Sequence, residues 1–402
     1  MATNNNNKAL NVPALRFPEF TGEWMKCKFG EIATGFDYGM NAAAKPYDGQ
    51  NKYIRITDID EVSSTYNNSS IVSPDGILSE NYVVNEGDIL LARTGASTGK
   101  SYLYRKSDGK LYYAGFLIRA NVAEHNPYFV FSQLHTHRYW RWVSIMSARS
   151  GQPGINSLEY ASFPIFTTTL KEENKISSLL SLIDKRIATQ NKIIEKLQSL
   201  IKGLVDELMT VLLKGKLYPF SSFYIKAGEG GTPTTSVVEY YTEGTIPFIK
   251  IEDLSCKYLT NNKDFITELG MQKSSAWLIP SKSVIYSNGA TIGAISINEY
   301  PVCTKQGILG IVPNTNINVE YLYLLMSSSY FSKEISRIIT EGTMKTAYLK
   351  DINHIKCPLP SMAQQKNITN LTSSIEEKLS IEQELLRFLN LQKQYLLHMM
   401  FI

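Results

Sequence analysis

The amino-acid sequence predicts an α+β protein: two mixed, mostly β domains joined by two long antiparallel coiled-coil helices, related by a pseudo-two-fold internal repeat. Three observations predict this fold class. The chain has 402 residues, more than a single hydrophobic core usually serves. Its second half repeats segments of its first half in the same order. Each half then ends in a stretch with heptad spacing, which is typical of a coiled-coil helix.

The repeat rests on five pairs of segments whose offset stays between 192 and 195 residues. Each match is weak alone, but the shared order indicates a tandem duplication of a unit of roughly 190 residues. The matched pairs are 29–35 with 222–228, 53–59 with 248–254, 89–99 with 284–293, 115–118 with 307–310, and 163–165 with 357–359.

The domain organisation follows from the repeat. Short apolar or alternating runs broken by Gly, Asn, Pro and Ser indicate strands and turns, so each globular domain is expected to be mostly β. One helical stretch is predicted near the end of each domain, at 127–146 and 319–339. The predicted boundaries are a disordered tail at 1–11, domains at 12–168 and 213–360, and helices at 169–212 and 361–402.

The heptad pattern predicts the seam of each long helix. Apolar residues recur every 3.5 residues on average, over four to five heptads. An amphipathic helix lying on its own domain is the alternative, but two helices of equal length favour mutual pairing. The predicted seam residues are Ile176, Leu180, Ile183, Ile187, Ile194, Leu197, Ile201 and Leu204 in the first helix, and Ile368, Ile375, Leu379, Leu386, Leu389 and Leu396 in the second.

Related copies tend to pack about a two-fold axis, which would make the two helices antiparallel and the two domains inverted. Each helix would run roughly 50–60 Å and act as a spacer. Because duplex DNA itself has dyads, an inverted pair of domains suits two separated half-sites. The domains differ in sequence, so we expect an asymmetric, bipartite target.

Composition excludes several classes of protein. The net charge is only +4, but basic residues cluster between Arg93 and Arg119, where a solvated face and a phosphate-tracking groove are both possible. The four cysteines show no ligand spacing, and His135 and His137 form an H-x-H pair without an evident third ligand, so no metal site is predicted. No signal peptide or membrane-length apolar run is present, and the expected location is cytoplasmic.

The segments that suggest a family are residues 12–24 (VPALRFPEFTGEW), residues 87–95 (GDILLARTG), and the loop at 147–165 that leads into a heptad helix. In this order, and duplicated, they resemble the specificity subunit of type I restriction–modification systems over nearly the whole chain. The resemblance implies two target-recognition domains that bind double-stranded DNA, with no catalysis and no cofactor in this subunit.

The resemblance also implies partners. Two copies of a modification subunit, an adenine methyltransferase that uses S-adenosylmethionine, would dock on the helices. Restriction/translocase subunits, which use ATP and Mg²⁺, would join the complete complex.

Candidate DNA-binding residues lie on polar strand faces, on the glycine turn after each central strand, and in a loop before each long helix. Arginine can bind guanine bidentately, and glycine turns let backbone approach phosphate. A solvated strand face is the alternative. The candidates are Tyr53, Arg55, Asp58, Arg93, Thr94, Gly95, Ser97, Lys100, Ser150, Gln152 and Asn156 in the first copy, and Lys250, Glu252, Asn288, Gly289, Thr291, Thr343, Lys345 and Thr346 in the second.

Two other functions compete with DNA recognition. A non-catalytic scaffold whose two β-rich domains bind proteins would show the same repeat and heptads, but it would not need the basic cluster. A nucleotide-dependent enzyme would rest on Gly99-Lys100-Ser101, which resembles the end of a P-loop. The spacing between Gly95 and Gly99 is one residue too short for that motif, and the second copy lacks the Lys and Ser.

Overall fold

The computed structural model describes residues 10–148, 153–289, 291–339 and 345–402. The chain divides into two compact units, one formed by the residues up to Gln190 together with Leu385–Ile402, the other by Asn191–Glu384. Each unit therefore holds one globular part and a stretch of both long helices. Among the described residues, no helix is both long enough and apolar enough to cross a bilayer.

The globular part of the first unit is built around a four-stranded antiparallel sheet, followed by three short helices and the first long helix. Its strands are β1 Met25–Lys28, β2 Thr34–Tyr38, β3 Ala43–Pro46, β4 Lys52–Ile54, β5 Val72–Asp75, β6 Asp88–Ala92, β7 Ser101–Leu103, β8 Leu111–Tyr113, β9 Leu117–Asn121 and β10 Pro164–Thr167. Its helices are α1 Phe29–Ile32, α2 Pro127–Gln133, α3 His137–Ser147, α4 Ser157–Ala161 and α5 Leu170–Leu212, the last of which continues into the second unit.

Strand β6 is the centre of this unit because it is buried on both faces. Side chains alternate across a strand, so Ile89 and Leu91 face one apolar core while Leu90 and Ala92 face another. The main sheet has the order β2-β9-β6-β7. The smaller pairs are β1 with β10 and β3 with β5, both antiparallel, and β4 with β8, which is parallel.

The second unit repeats this plan. Its strands are β11 Leu217–Pro219, β12 Tyr224–Glu229, β13 Ile246–Ile249, β14 Tyr258–Leu259, β15 Asp264–Ile266, β16 Val284–Ser287, β17 Ile295–Asn298, β18 Cys303–Thr304, β19 Ile308–Pro313 and β20 Lys356–Pro358. Its helices are α6 Glu268–Gln272, α7 Val319–Ser327, α8 Ser329–Ile338, α9 Leu349–Ile352 and α10 Met362–Met400.

The correspondence between the units confirms the internal repeat. The sheet β12-β19-β16-β17-β14 places β16 where the first unit has β6, and β16 is likewise buried throughout. Val284 and Tyr286 face one core while Ile285 faces the other. The parallel pair β13–β18 corresponds to β4–β8, and the antiparallel pair β11–β20 corresponds to β1–β10.

The long helices run antiparallel in the first unit. Asp184 of α5 pairs with Lys393 of α10 at 2.7 Å, and one turn further Leu180 and Leu397 belong to the same core. In the second unit, Val205 and Met209 of α5 share a core with Ile368 of α10. All fourteen predicted seam residues are buried or partly buried.

Two details differ from the predictions. The single helical stretch expected in each domain is a pair of helices, because Thr136 and Ser328 accept hydrogen bonds from Tyr139 N and Phe331 N and so cap new helices, α3 and α8. Near the end of α5, Val205 and Met209 are more buried than the seam residue Leu204, because this turn packs on the globular part of the second unit.

Candidate nucleic-acid interface

The turn after the central strand has the same backbone design in both units. Gly99 N donates to Ala92 O at 3.0 Å, and Gly293 N donates to Ser287 O at the same distance. Both glycines have positive φ angles, +94° and +103°, which side-chain-bearing residues rarely adopt. The local fold therefore requires glycine at each position.

A second shared link joins this turn to the loop before the long helix. In the first unit Ile155 N donates to Arg93 O at 2.9 Å, and in the second Ala347 N donates to Asn288 O at 2.9 Å. Arg93 and Asn288 thus occupy equivalent places on one scaffold. Their side chains differ completely in charge and reach.

Beside this turn, the first unit has an open cleft of about 770 Å³. Three predicted residues, Tyr53, Arg55 and Arg93, lie in its wall, and no acidic residue is among the described residues that line it. Phe116, which is 59% exposed, and the exposed Tyr38 also line it. The cleft combines cations with aromatic surface, a pairing suited to nucleic acid.

Arg55 is held by Asp58. The buried Asp58 carboxylate accepts from the Arg55 backbone N at 2.8 Å, from Nε at 2.9 Å and from Nη2 at 2.7 Å. Hydrogen bonding to this carboxylate raises the pKa of Arg55 above its usual value. Such bidentate pairing fixes the plane of a guanidinium that would otherwise sample many rotamers.

Arg93 has a different environment. Its guanidinium lies 4.7 Å from the centre of the Tyr38 ring, a cation–π contact. Within the described ranges, it has no carboxylate partner within 4.0 Å, and its buried Nε has no hydrogen-bond partner. Arg93 therefore presents a full positive charge at the cleft.

The glycine turn itself is tied down by its neighbours. Gly95 N donates to Pro153 O at 3.0 Å, and Thr94 forms an isolated β-bridge with Gly154. Ser97 lies in the short 3₁₀ turn at 95–97 and is partly buried. Lys100, expected to contact phosphate freely, is instead paired with the exposed Glu61.

Three predictions need correction because the side chains are buried and serve the fold. Tyr53 is 1% exposed and donates to Met40 O at 2.8 Å, so it does not stand on an outward polar face. Asp58 is buried beneath Arg55 in a 3₁₀ turn at 56–58, after β4 has ended. Asn156 is exposed and caps α4 by accepting from Glu159 N, so its DNA contact stays a prediction. Asn288 is buried, and its Nδ2 donates to Ala347 O.

The second-unit candidates are less clustered than those of the first. Lys250 Nζ pairs with Asp264 at 2.8 Å, while Glu252 and Thr291 are exposed. At Gly289 an added Cβ would lie 3.2 Å from Gly307 Cα, so glycine permits a close backbone approach there. Lys345 is exposed and Thr346 is partly buried. Ser150, Gln152 and Thr343 lie outside the described residues.

The sequence predictions missed four residues of these sites. Tyr38 and Phe116 line the cleft, and Asp253 and Asp264 hold Lys250. Phe116 follows Gly115 of the repeat, and Asp253 stands three residues after Lys250 as Asp58 does after Arg55. In the part of the chain that the structure describes, no group of three His, Cys, Asp or Glu could hold a metal ion.

Comparison with known families shows two matches along the chain. Residues 22–199 and 223–390 each match the model of the type I restriction modification DNA specificity domain. The chain is 30% identical over 154 residues to the specificity subunit of the type I restriction enzyme MjaIX of Methanocaldococcus jannaschii, covering 37% of this chain and 35% of that protein. It is 27% identical over 242 residues to a type I restriction enzyme specificity subunit of Escherichia coli, covering 53% and 58%.

The chain thus spans from about a third to just over half of the length of these two curated relatives. Solved structures show the likeness of fold over more of the chain. The crystal structure of a type I restriction-modification S subunit from M. genitalium aligns with a TM-score of 0.57 at 18% identity, over 97% of this chain and 99% of that one. A chain from a study of complex assembly and conformational transition of the type I R-M system aligns with a TM-score of 0.56 at 15% identity, over 94% and 97%.

Proposed function

Because the chain belongs to the type I restriction–modification DNA specificity family, we propose that it binds an asymmetric, bipartite target in double-stranded DNA. It would perform no chemistry itself. Each unit would contact one half of the target, and the bases between the halves would not be contacted. Such a subunit would act in the cytoplasm, where its DNA and partners are.

One observation supports the proposal that the two halves of the target differ. Arg93 and Asn288 occupy equivalent places on the same backbone scaffold, yet one is a cation beside an open cleft and the other is a buried amide. Side chains at base edges determine sequence preference, whereas the scaffold determines position. Two units with one scaffold and different side chains would bind two unlike half-sites.

The partners are proposed from the family and from one exposed surface. The surface is an apolar stripe on α10 that consists of Phe388, Leu391 and Tyr395, each about half exposed. Their spacings of three, four and seven residues place them on one face of the helix. Such a stripe suits a docked protein. We assign it to a modification subunit, an adenine methyltransferase using S-adenosylmethionine. Two copies would bind, and restriction/translocase subunits using ATP and Mg²⁺ would join them.

The docking proposal is tested by Phe388→Asp, which places a charge in the stripe. We expect the variant to fold but to lose co-purification with the methyltransferase subunit. Ile77→Asp is the matched control, because Ile77 is 93% exposed and follows strand β5 instead of belonging to a long helix. Equal co-purification of wild type and Phe388→Asp would contradict this assignment.

DNA recognition is tested with the purified complex of this chain and its methyltransferase subunit. Random-sequence duplex pools are passed over the complex, and bound DNA is sequenced after several rounds. We expect enrichment of two short, different elements at a constant separation, which the methyltransferase subunit alone does not enrich. A protein-binding scaffold would enrich nothing.

A further inference from the structure

Within the proposed DNA-binding function, we infer that Arg55 determines specificity by binding one guanine in the half-site of the first unit. Asp58 acts as the positioning residue that aims it. The inference rests on the proposed function and on the geometry of the cleft.

Asp58 occupies only part of the Arg55 guanidinium. A guanidinium carries five N–H donors in one plane. Asp58 takes Nε and one proton of Nη2, along one side of that plane. Within the described residues, the end of the fork, formed by Nη1 and the other Nη2 proton, has no hydrogen-bond partner. Guanine presents two acceptors, O6 and N7, to such a pair of parallel donors in the major groove.

Asp58 also changes the net charge at Arg55. The Asp58 carboxylate offsets most of the Arg55 charge, so Arg55 is a poor point charge for a phosphate. The pair nonetheless keeps its directional donors and its fixed plane. This combination favours a base edge over the phosphate backbone, because base recognition depends on geometry more than on net charge.

Three further side chains line the same cleft as Arg55 and complete its environment. Arg93 lines the same cleft without a carboxylate partner among the described residues, so it keeps the charge that a phosphate needs. Tyr38 and Phe116 add exposed aromatic surface. The cleft can therefore hold a base pair edge at Arg55 while Arg93 fixes the adjoining strand.

The second unit supports the inference by contrast. Lys250 N donates to Asp253 Oδ2 at 2.8 Å, which reproduces the Arg55–Asp58 turn. However, Lys250 Nζ pairs with Asp264 at 2.8 Å, and an ammonium has no planar fork. The same turn should give no bidentate guanine preference in the other half-site.

The test uses the purified complex with the methyltransferase subunit and duplexes that carry each of the four base pairs at each position of the selected target. Relative affinities are measured for wild type, Arg55→Lys and Asp58→Asn. The exposed Arg105 provides Arg105→Lys as the matched control. For wild type we expect one G·C pair in one half-site to be preferred on the order of tenfold to a hundredfold.

Arg55→Lys and Asp58→Asn should both lose that preference at the same base pair, and every other position should keep its preference. Arg105→Lys should behave as wild type. Preferences that persist in the other half-site show that each variant is folded. If Arg55→Lys fails to bind DNA, the guanine preference of Asp58→Asn decides the test, because that variant retains Arg55.

Three results would overturn the inference. The first is a wild-type target without a guanine that depends on Arg55. The second is unchanged guanine preference in Asp58→Asn. The third is an unchanged guanine preference in Arg55→Lys, because a lysine that keeps the charge can replace arginine at a phosphate but not at a bidentate base contact. A wild-type complex that selects no split target would instead refute the proposed function.

Discussion

The backbone N–H of Asn126 donates to the Oε2 atom of Glu173 at 2.9 Å, and this bond ties the start of α2 to the start of α5. The second unit has the same bond between Asn318 N and Gln365 Oε1, at 2.8 Å. Both asparagines also cap the following helix with their side chains. The duplication thus extends to an individual hydrogen bond, although the acceptor is a carboxylate in the first unit and an amide in the second.

Glu173→Ala should lower the free energy of unfolding by about 1–3 kcal/mol, because it leaves the Asn126 N–H without its acceptor. Gln365→Ala should have a similar effect through Asn318 N. The measurement is urea denaturation followed by circular dichroism. Glu173→Gln is the control and should be milder, since an amide serves in the second unit; an equal loss in Glu173→Gln would contradict this explanation.

Gly99→Ala should destabilise the protein more than Gly293→Ala. Both substitutions strain a positive φ, at a cost of about 1–2 kcal/mol. At Gly99 the new Cβ would also lie 2.7 Å from Val143 Cγ1, whereas at Gly293 nothing lies within 4 Å. Thermal melting of both variants tests the difference, and equal melting temperatures would show that packing at Gly99 adjusts without cost.

Repetition and heptad spacing are properties of the sequence itself, so the fold class and the buried seam could be predicted. Apolar periodicity identifies the buried face of a helix without knowledge of its partner. This prediction was wrong at the end of α5, where Val205 and Met209 are more buried than Leu204. There the helix packs on Phe220 and Phe223 of its own unit, which heptad spacing cannot anticipate.

The cleft could be predicted only in part. Arg93 was predicted because it begins a glycine turn that suits phosphate contact, and Arg55 because it lies on the polar face of a predicted strand. The alternation of side chains along a strand predicted Tyr53 on the exposed face of the sheet. However, β4 has only three residues, and neighbouring residues cover both of its faces. The pairing of Lys100 with Glu61 joins residues 39 positions apart, and no local pattern reveals such a contact.

Stability should fall between pH 6.5 and pH 4 through His135. Burial, with a smaller contribution from the Lys393 charge, lowers the pKa of His135 to about 4. An unfolded histidine titrates near 6.5, so below that pH the unfolded chain binds the extra proton. The contribution of neutral His135 to the free energy of unfolding is complete above pH 6.5. As the pH falls to 4, up to roughly 3 kcal/mol of that free energy is lost.

His135→Gln tests this pH dependence, because it removes the titrating ring that contacts Phe131 O and Ser64 Oγ. Melting temperatures of wild type and variant are compared from pH 7.5 to pH 4. The variant should lose less stability over that range. Parallel curves would assign the acid sensitivity to groups other than His135.

Arg93→Ala should weaken binding to all DNA sequences and make the slope of log affinity against log salt about one unit shallower. Lys100→Ala should do less, since Lys100 is already paired with Glu61. Glu61→Gln should strengthen binding by releasing that lysine. Fluorescence anisotropy of the complex with its methyltransferase, at several salt concentrations, measures all three. A larger effect of Lys100→Ala than of Arg93→Ala would contradict the charge assignment.

The central claim is that two related but unlike units bind two unlike half-sites. Single-molecule sequencing that detects methylated adenine tests it most directly, in cells that express this chain with its methyltransferase and have no other adenine methylation. We expect a split motif, with two different short elements separated by a constant number of unspecified bases. A continuous motif, a palindromic motif or no methylated motif would contradict the claim.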